Sequence, residues 1–171
     1  MDVFFEQIVA KKNTPIDTLK KVGIIIAALI LIFAFMIILP GFFPVMGTFG
    51  LLLAAGVCYG SWYLLTNMSV EYEYILTNGE IDVDKIVARR KRKRLITVNT
   101  RAFTEFGLYR AEEHANRNYQ SRVIACSSET DPNTYYAVTD HPKFGNCLLV
   151  FNPNEKILQH AKEFIRKNVI K

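Results

Sequence analysis

Hydrophobic positions run without interruption through the first third of the chain and alternate with polar ones after it. No Asp, Glu, Lys, Arg or His occurs from position 22 to position 65. Two apolar runs, 22–39 and 45–65, fill this stretch on either side of a PGFFP segment. At 1.5 Å per residue the runs reach about 27 and 31 Å, which matches a hydrocarbon core of about 30 Å. The pattern predicts a hairpin of two membrane-spanning helices.

The residues before the first run predict where its helix begins. Thr14, Pro15 and Asp17 suit the N-cap, N1 and N3 positions of a helix. A cleaved signal peptide is disfavoured, because the apolar run is long, no small-x-small cleavage site follows it and a second span comes at once. The start of the cytoplasmic segment predicted at 1–21 has apolar residues at helical spacing. It is either a short interfacial helix or a mobile terminus.

Charge near the spans predicts their orientation. Lys20 and Lys21 adjoin the first run, whereas the connecting segment carries no charge. Because cationic segments stay inside, both termini are expected in the cytoplasm, in a multi-pass protein of the cell membrane. Three cysteines, with Cys58 inside a span, fit a reducing compartment better than a disulfide framework.

Small residues recur at helical spacing in the second run. Gly50 with Ala54, and Gly56 with Gly60, are each four residues apart. Such spacing lets helices approach closely. We expect packing against the first span of the same chain, with dimerisation as the alternative.

After the spans the hydrophobic period becomes two. Val70, Tyr72 and Tyr74 alternate with polar residues up to Asn78-Gly79, the dipeptide most typical of a tight hairpin turn. Four further strands are predicted, in the segments RLITVNT, QSRVIACSS, TYYAVTDH and NCLLVFNP. Positions 105–118 fit either a loop or a short helix.

The chain closes with a predicted amphipathic helix. Asn152, Pro153 and Glu155 suit its N-cap, N1 and N3 positions. Its apolar stripe comprises Ile157, Leu158, Ala161, Phe164, Ile165 and Val169. Such a stripe needs a partner surface, and a curved antiparallel sheet supplies one.

The segments YILTNGEIDVDKI and RRKRKRL, placed after two spans, resemble bacterial membrane-anchored PH-like proteins. These include small uncharacterised integral membrane proteins of Gram-positive bacteria. The resemblance implies an α+β fold in which a two-helix transmembrane hairpin precedes a PH-like antiparallel β-barrel or sheet, at 69–171, with a C-terminal helix. It implies a scaffold or binding function without catalytic residues. The first hairpin is acidic, at Glu80, Asp82 and Asp84, so headgroup recognition by that turn is not carried over.

Six consecutive cations form the candidate binding site. They are Arg89, Arg90, Lys91, Arg92, Lys93 and Arg94. The chain after the spans has 17 Lys and Arg against 13 Asp and Glu, so without these six it is net acidic. Near an anionic leaflet each cation contributes about 1 kcal/mol before screening. The basic run therefore predicts contact with anionic lipid of the inner leaflet; a solvated strand edge and an acidic protein partner are the alternatives.

Other chemistry has little support in the sequence. No nucleic-acid-reading motif accompanies the cations. The cysteines and histidines lack metal-ligand spacing, and no cofactor is expected. Asp140, His141 and Ser127 belong to no local catalytic motif. We therefore expect a non-enzymatic membrane-anchored adaptor or organiser; the alternatives are an accessory subunit of a membrane transport complex and a membrane-tethered enzyme.

Overall fold

A computed structural model describes residues 4–42 and 47–171 of the chain. They form two compact units, one from 13–69 and one that combines 4–12 with 70–171. The second unit is therefore discontinuous in sequence. This division differs from the one drawn on composition, which set 1–21 apart as a segment of its own.

The first unit contains two candidate spans, each a long apolar helical stretch. Helix α1 (Pro15–Phe33) begins with the capping box expected at its start, in which the Asp17 N–H donates to Thr14 Oγ1 at 3.2 Å. It continues through a π-helical stretch (Ala34–Ile38) into α2 (Leu39–Phe42), and helix α3 (Gly47–Asn67) follows. The stretches Pro15–Phe42 and Gly47–Asn67 are long and apolar enough to cross a membrane. Phe43, Pro44 and the predicted start of the second run at position 45 lie outside the described residues.

Proline explains the π-helical stretch. Pro40 has no N–H, and its ring would collide with the carbonyl of Met36 in a regular α-helix. The backbone widens just before it, where the Leu39 N–H donates to the carbonyl of Ala34, five residues back. The first span is therefore locally widened near its end.

Two of the four small residues of α3 lie against the first span. Gly50 and Ala54 are buried, and a Cβ on Gly50 would meet the carbonyl oxygen of Phe35. A Cβ on Gly56 or Gly60 would meet nothing within 4 Å. The four residues thus divide into a buried pair and a pair at which a Cβ would meet nothing within 4 Å.

The second unit begins with a strand. Strand β1 (Phe4–Ala10) pairs antiparallel with β2 (Val70–Thr77). The expectation of a helix or a mobile terminus in this segment was therefore wrong. Strands β3 (Glu80–Val87) and β4 (Lys91–Asn99) complete a sheet of order β1-β2-β3-β4. The predicted turn at Asn78 and Gly79 is confirmed, since both residues have positive φ and Thr77 pairs with Glu80.

A second sheet follows along the chain. Its strands are β5 (Phe103–Leu108), β6 (Ser121–Ala125), β7 (Tyr135–His141) and β8 (Gly145–Phe151), in the order β5-β7-β8-β6. The ambiguous segment supplies most of β5 and a short helix α4 (Ala111–Ala115). Strands β6 and β8 are parallel, so this sheet is mixed.

Helix α5 (Glu155–Phe164) starts two residues later than predicted. Its N-cap is Asn154, whose Oδ1 accepts the Ile157 N–H at 2.9 Å. Asn152 is buried instead, and its Oδ1 accepts the Ser127 N–H at 2.7 Å. The prediction that Asn152 caps the helix was therefore wrong, because its side chain is hydrogen-bonded to the Ser127 N–H and the Thr134 hydroxyl inside the domain.

The core lies between the two sheets and under α5. Ile157 and Ala161 of the helix are buried in it, and Ile165 follows them, as the predicted stripe requires. Within the described residues no ladder joins one sheet to the other, so the predicted barrel is not closed. The domain thus consists of two largely antiparallel sheets and a C-terminal helix.

Candidate functional site: the basic run

The basic run forms a turn and the first half of a strand. Strand β3 ends at Val87, and Ala88 and Arg89 have φ of 56° and 54°, which reverses the chain into β4. All six cations are exposed. Their side chains do not share one environment, because alternate residues of a strand point to opposite faces.

Three arginines of the run pair with carboxylates of neighbouring strands. Arg89 Nε lies 2.9 Å from Glu71 Oε1, and Arg92 Nη2 lies 2.7 Å from Glu73 Oε1. Arg94 contacts both Asp82 and Asp84. These acidic residues alternate along β2 and β3, so they lie on one face of the sheet beside the arginines. These three arginines are therefore neutralised within the domain.

One residue of these ion pairs, Glu73, is fully buried. The side chain of Glu73 has no exposed surface, although its partner Arg92 is 56% exposed. Burial raises the pKa of the Glu73 carboxyl, and the charge of Arg92 opposes that shift. The nearby carboxyl groups of Glu6 and Asp84 raise this pKa further. The charge of Arg92 thus favours the ionised form of Glu73, which burial disfavours.

The lysines of the run lie on the opposite face. Lys93 is the cross-strand neighbour of Lys85, which in turn opposes Tyr72, a core residue. Within the described residues no carboxylate lies within 4.0 Å of Lys85, Lys91 or Lys93. Sequence reasoning missed Lys85, which sits alone among the acidic residues of β3. The signal was its position directly after Asp84, because consecutive strand residues point to opposite faces of the sheet.

A buried polar network joins the two ends of this domain. The hydroxyl of Tyr74 donates to the carbonyl of Ala125 and accepts the Asn152 N–H at 3.2 Å. Gln7 of β1 donates to the carbonyl of Asn152 at 3.0 Å and accepts the Asn154 N–H at 2.7 Å. Burial raises the pKa of the Tyr74 hydroxyl. These polar groups therefore hold strands and helix together.

A second cluster lies beside β7, around His114. This buried imidazole stacks on Tyr109 and lies edge-on to Tyr136, and its Nδ1 is 2.7 Å from the Tyr119 hydroxyl. Burial, with the charge of nearby Arg117, lowers the pKa of His114. The cluster packs short helix α4 and the segments flanking it onto the sheet.

The residues considered for metal binding and catalysis have structural partners. Burial raises the pKa of the Cys126 thiol to about 11, which keeps it protonated. His141 Nδ1 accepts the Lys143 N–H at 3.1 Å within a turn, and Ser127 Oγ lies 3.5 Å from Asp131 Oδ2. In the described part of the chain no three His, Cys, Asp or Glu side chains are grouped as a metal site requires.

Comparison with protein families matches the whole chain. The model of a family described as bacterial PH-like domain (DUF6106) covers residues 1–171. No curated protein and no solved structure matches the chain. The family description agrees with a non-enzymatic adaptor role in general terms and specifies no ligand.

Proposed function

Since the chain belongs to the bacterial PH-like domain family, we propose that it is a non-enzymatic adaptor or organiser at the cytoplasmic face of the cell membrane. Two helices anchor it, both termini are cytoplasmic, and the turn of the basic run contacts anionic lipid. The observation that supports this membrane topology is the pairing of β1 with β2, the two strands that flank the helical hairpin in the sequence.

The helical hairpin is inserted between two strands that pair with each other. Ala10 opposes Glu71, and the Lys11 N–H donates to the carbonyl of Val70 at 3.0 Å. The chain therefore leaves the sheet after β1 and returns to the same place before β2. This connectivity supports a topology in which both ends of the hairpin lie on one side of a membrane and the helices cross it an even number of times. Lys20 and Lys21 favour the cytoplasm for that side.

The lipid contact rests on the exposed cations of the turn. Arg90 and Lys91 are both exposed and lie where the turn enters β4. Each cation close to an anionic surface contributes about 1 kcal/mol. For a domain already tethered to the membrane, this attraction suffices to bias its orientation.

The test uses the full chain in lipid nanodiscs, either of neutral phosphatidylcholine alone or with anionic phosphatidylglycerol. Hydrogen exchange of residues 88–94 is measured at low and physiological salt. We expect slower exchange in anionic discs, reversed by salt and absent in the variant Arg90→Gln with Lys91→Gln. The matched control is Lys156→Gln with Lys162→Gln on α5, which keeps the protection. Equal exchange in both lipids would exclude lipid contact by this turn.

A second candidate function is that of an accessory subunit in a membrane complex. The observation in its favour is that a Cβ added at Gly56 or Gly60 would meet nothing within 4 Å, whereas one at Gly50 would meet Phe35. A face of small residues accepts another helix closely. Copurification of a membrane protein that depends on Gly56 and Gly60 would support this function.

A further inference from the structure

A small cleft opens where the two sheets fail to close. Its walls come from Leu95 of β4 and from Val123 and Ile124 of β6, with a volume of about 260 Å³. The other lining residues are Tyr72, Lys85, Arg122 and Phe144. The cleft is smaller than a typical small-molecule pocket of about 300–1,000 Å³. It has room for one or two side chains.

Two strand edges border this cleft. Strand β4 is the outer strand of the first sheet and β6 the outer strand of the second. Within the described residues no ladder joins them. An outer strand presents backbone N–H and C=O groups that an added extended chain can pair with.

The charge around the cleft is positive. Lys85 and Arg122 line it, and none of the described carboxylates does. Lys93 opposes Lys85 across the strands, and Lys143 Nζ lies 5.6 Å from the ring centroid of Phe144. Arg122 is held in place, because its Nη2 donates to the carbonyls of His114 and Arg117 at 3.0 Å each.

The two faces of the first sheet therefore differ in what their cations do. On one face Arg92 and Arg94 are engaged by the carboxylates of β2 and β3. On the other, Lys85 lines the cleft and Lys93 is its cross-strand neighbour, and neither has a carboxylate within 4.0 Å among the described residues. Like charges placed opposite each other repel, and an acidic ligand relieves that repulsion.

We propose that this cleft binds an extended acidic peptide of a partner protein. The peptide backbone adds to an open strand edge, its carboxylates meet Lys85, Lys93 and Arg122, and an apolar side chain enters between Leu95 and Ile124. The proposal deepens the adaptor function proposed above by naming the chemistry of the partner. A lipid headgroup fits less well, because it uses neither the strand edges nor the apolar walls.

The test measures peptide binding by the full chain in neutral phosphatidylcholine nanodiscs. The probe is a fluorescein-labelled eight-residue peptide that alternates Glu with Val, followed by fluorescence anisotropy. A peptide that alternates Gln with Val is its neutral counterpart. We expect the acidic peptide to bind at least tenfold more tightly than the neutral one. The variant Lys85→Gln with Lys93→Gln is expected to lose that difference, and Lys156→Gln with Lys162→Gln to keep it.

Other outcomes would overturn the inference. Equal binding of both peptides would show that the cleft does not distinguish an acidic peptide from a neutral one. Loss of binding in Arg90→Gln with Lys91→Gln, but not in the Lys85 and Lys93 variant, would assign the contact to the turn. If soluble glycerophosphoglycerol protects Lys85 and Lys93 from acetylation whereas the acidic peptide does not bind, the cleft is a headgroup site. Since neutral discs are used, failure here leaves the lipid test of the turn independent.

Discussion

Glu73 is a carboxylate without exposed surface on the face of the sheet that carries the acidic residues. A buried carboxylate is costly unless it is paired, and removing its partner leaves the charge uncompensated. Arg92 is that partner, at 2.7 Å. One member of a run that looks like a uniform basic patch is therefore part of the domain's internal structure.

We predict that Arg92→Gln destabilises the domain by about 2 kcal/mol at neutral pH. Burial holds the folded-state pKa of Glu73 above its ordinary value. Protonation therefore favours the folded state, and the deficit should shrink as pH falls through that raised pKa. Adding Glu73→Gln should recover most of the loss. Thermal unfolding of the full chain in neutral nanodiscs, across pH, measures both effects.

Two outcomes would contradict this account of Arg92. One is an Arg92→Gln variant as stable as the parent at neutral pH. The other is a double variant less stable than the single one. Lys91→Gln is the matched control, because it removes a neighbouring cation that has no carboxylate within 4.0 Å among the described residues.

Residue-level prediction was limited by register. Alternation alone places Glu71, Glu73, Asp82 and Asp84 on one side of a hairpin. Which cation meets which carboxylate depends on the alignment of β4 with β3, which shifts between Val83 and Asp84. A shift of that kind leaves no mark in composition or period. The sequence therefore predicted an acidic hairpin and a basic run, but not their mutual neutralisation.

At the scale of the elements, the two apolar helices pack closely because of one residue in each, Pro40 in the first and Gly50 in the second. Pro40 widens the first span, and Gly50 of the second lies against the carbonyl of Phe35 in the widened stretch. Only a residue without Cβ permits that approach. Packing of the two helices therefore requires glycine at position 50. It does not require glycine at positions 56 and 60.

We predict that Gly50→Leu separates the two spans, whereas Gly56→Leu leaves them packed. A leucine at position 50 would collide with backbone of the first span, which cannot move as a side chain can. The measurement is crosslinking between cysteines placed in the two spans of the full chain in nanodiscs, together with thermal unfolding. A Gly50→Leu variant with unchanged crosslinking would refute the contact. Loss of a copurifying membrane protein in Gly56→Leu alone would instead support the accessory-subunit function.

Strand β1 was the element that local pattern misassigned. Phe5, Ile8 and Val9 have helical spacing, yet Phe5 and Val9 also have the spacing of two residues on one face of a strand. The deciding factor is the partner strand, whose first residue is Val70, some sixty positions later. Apolar residues on both faces, such as exposed Ile8, further hide the alternation. Local periodicity does not contain such a distant pairing.

At the scale of the whole molecule, the hairpin is an insertion into the PH-like domain and not a preceding anchor. The domain needs both flanks of the insertion, because β1 contributes Phe5 and Val9 to the core and Gln7 to the polar network. The Lys12 N–H also donates to the carbonyl of Ser127 at 2.9 Å. Residues on either side of the spans therefore fold as one body.

This connectivity predicts which soluble fragment folds. A chain of residues 70–171 lacks β1, exposes the edge of β2 and leaves the partners of Gln7 unsatisfied. A chain in which a short Gly-rich linker joins Lys12 to Val70 keeps them, and the 3.0 Å hydrogen bond from the Lys11 N–H to the Val70 carbonyl shows that the gap is short. We expect the joined chain to be soluble and to unfold cooperatively, at least about 3 kcal/mol more stable than 70–171.

Denaturant unfolding of the two fragments, followed by circular dichroism, measures this difference in stability. Gln7→Ala in the joined chain should lower stability by about 1–2 kcal/mol, because it removes two hydrogen bonds to the segment that leads into α5. Exposed Glu6 provides the matched control, and Glu6→Gln should not reproduce that loss. If 70–171 proves as stable as the joined chain, β1 is dispensable. The strand pairing that supports the proposed membrane topology would then lose its energetic basis.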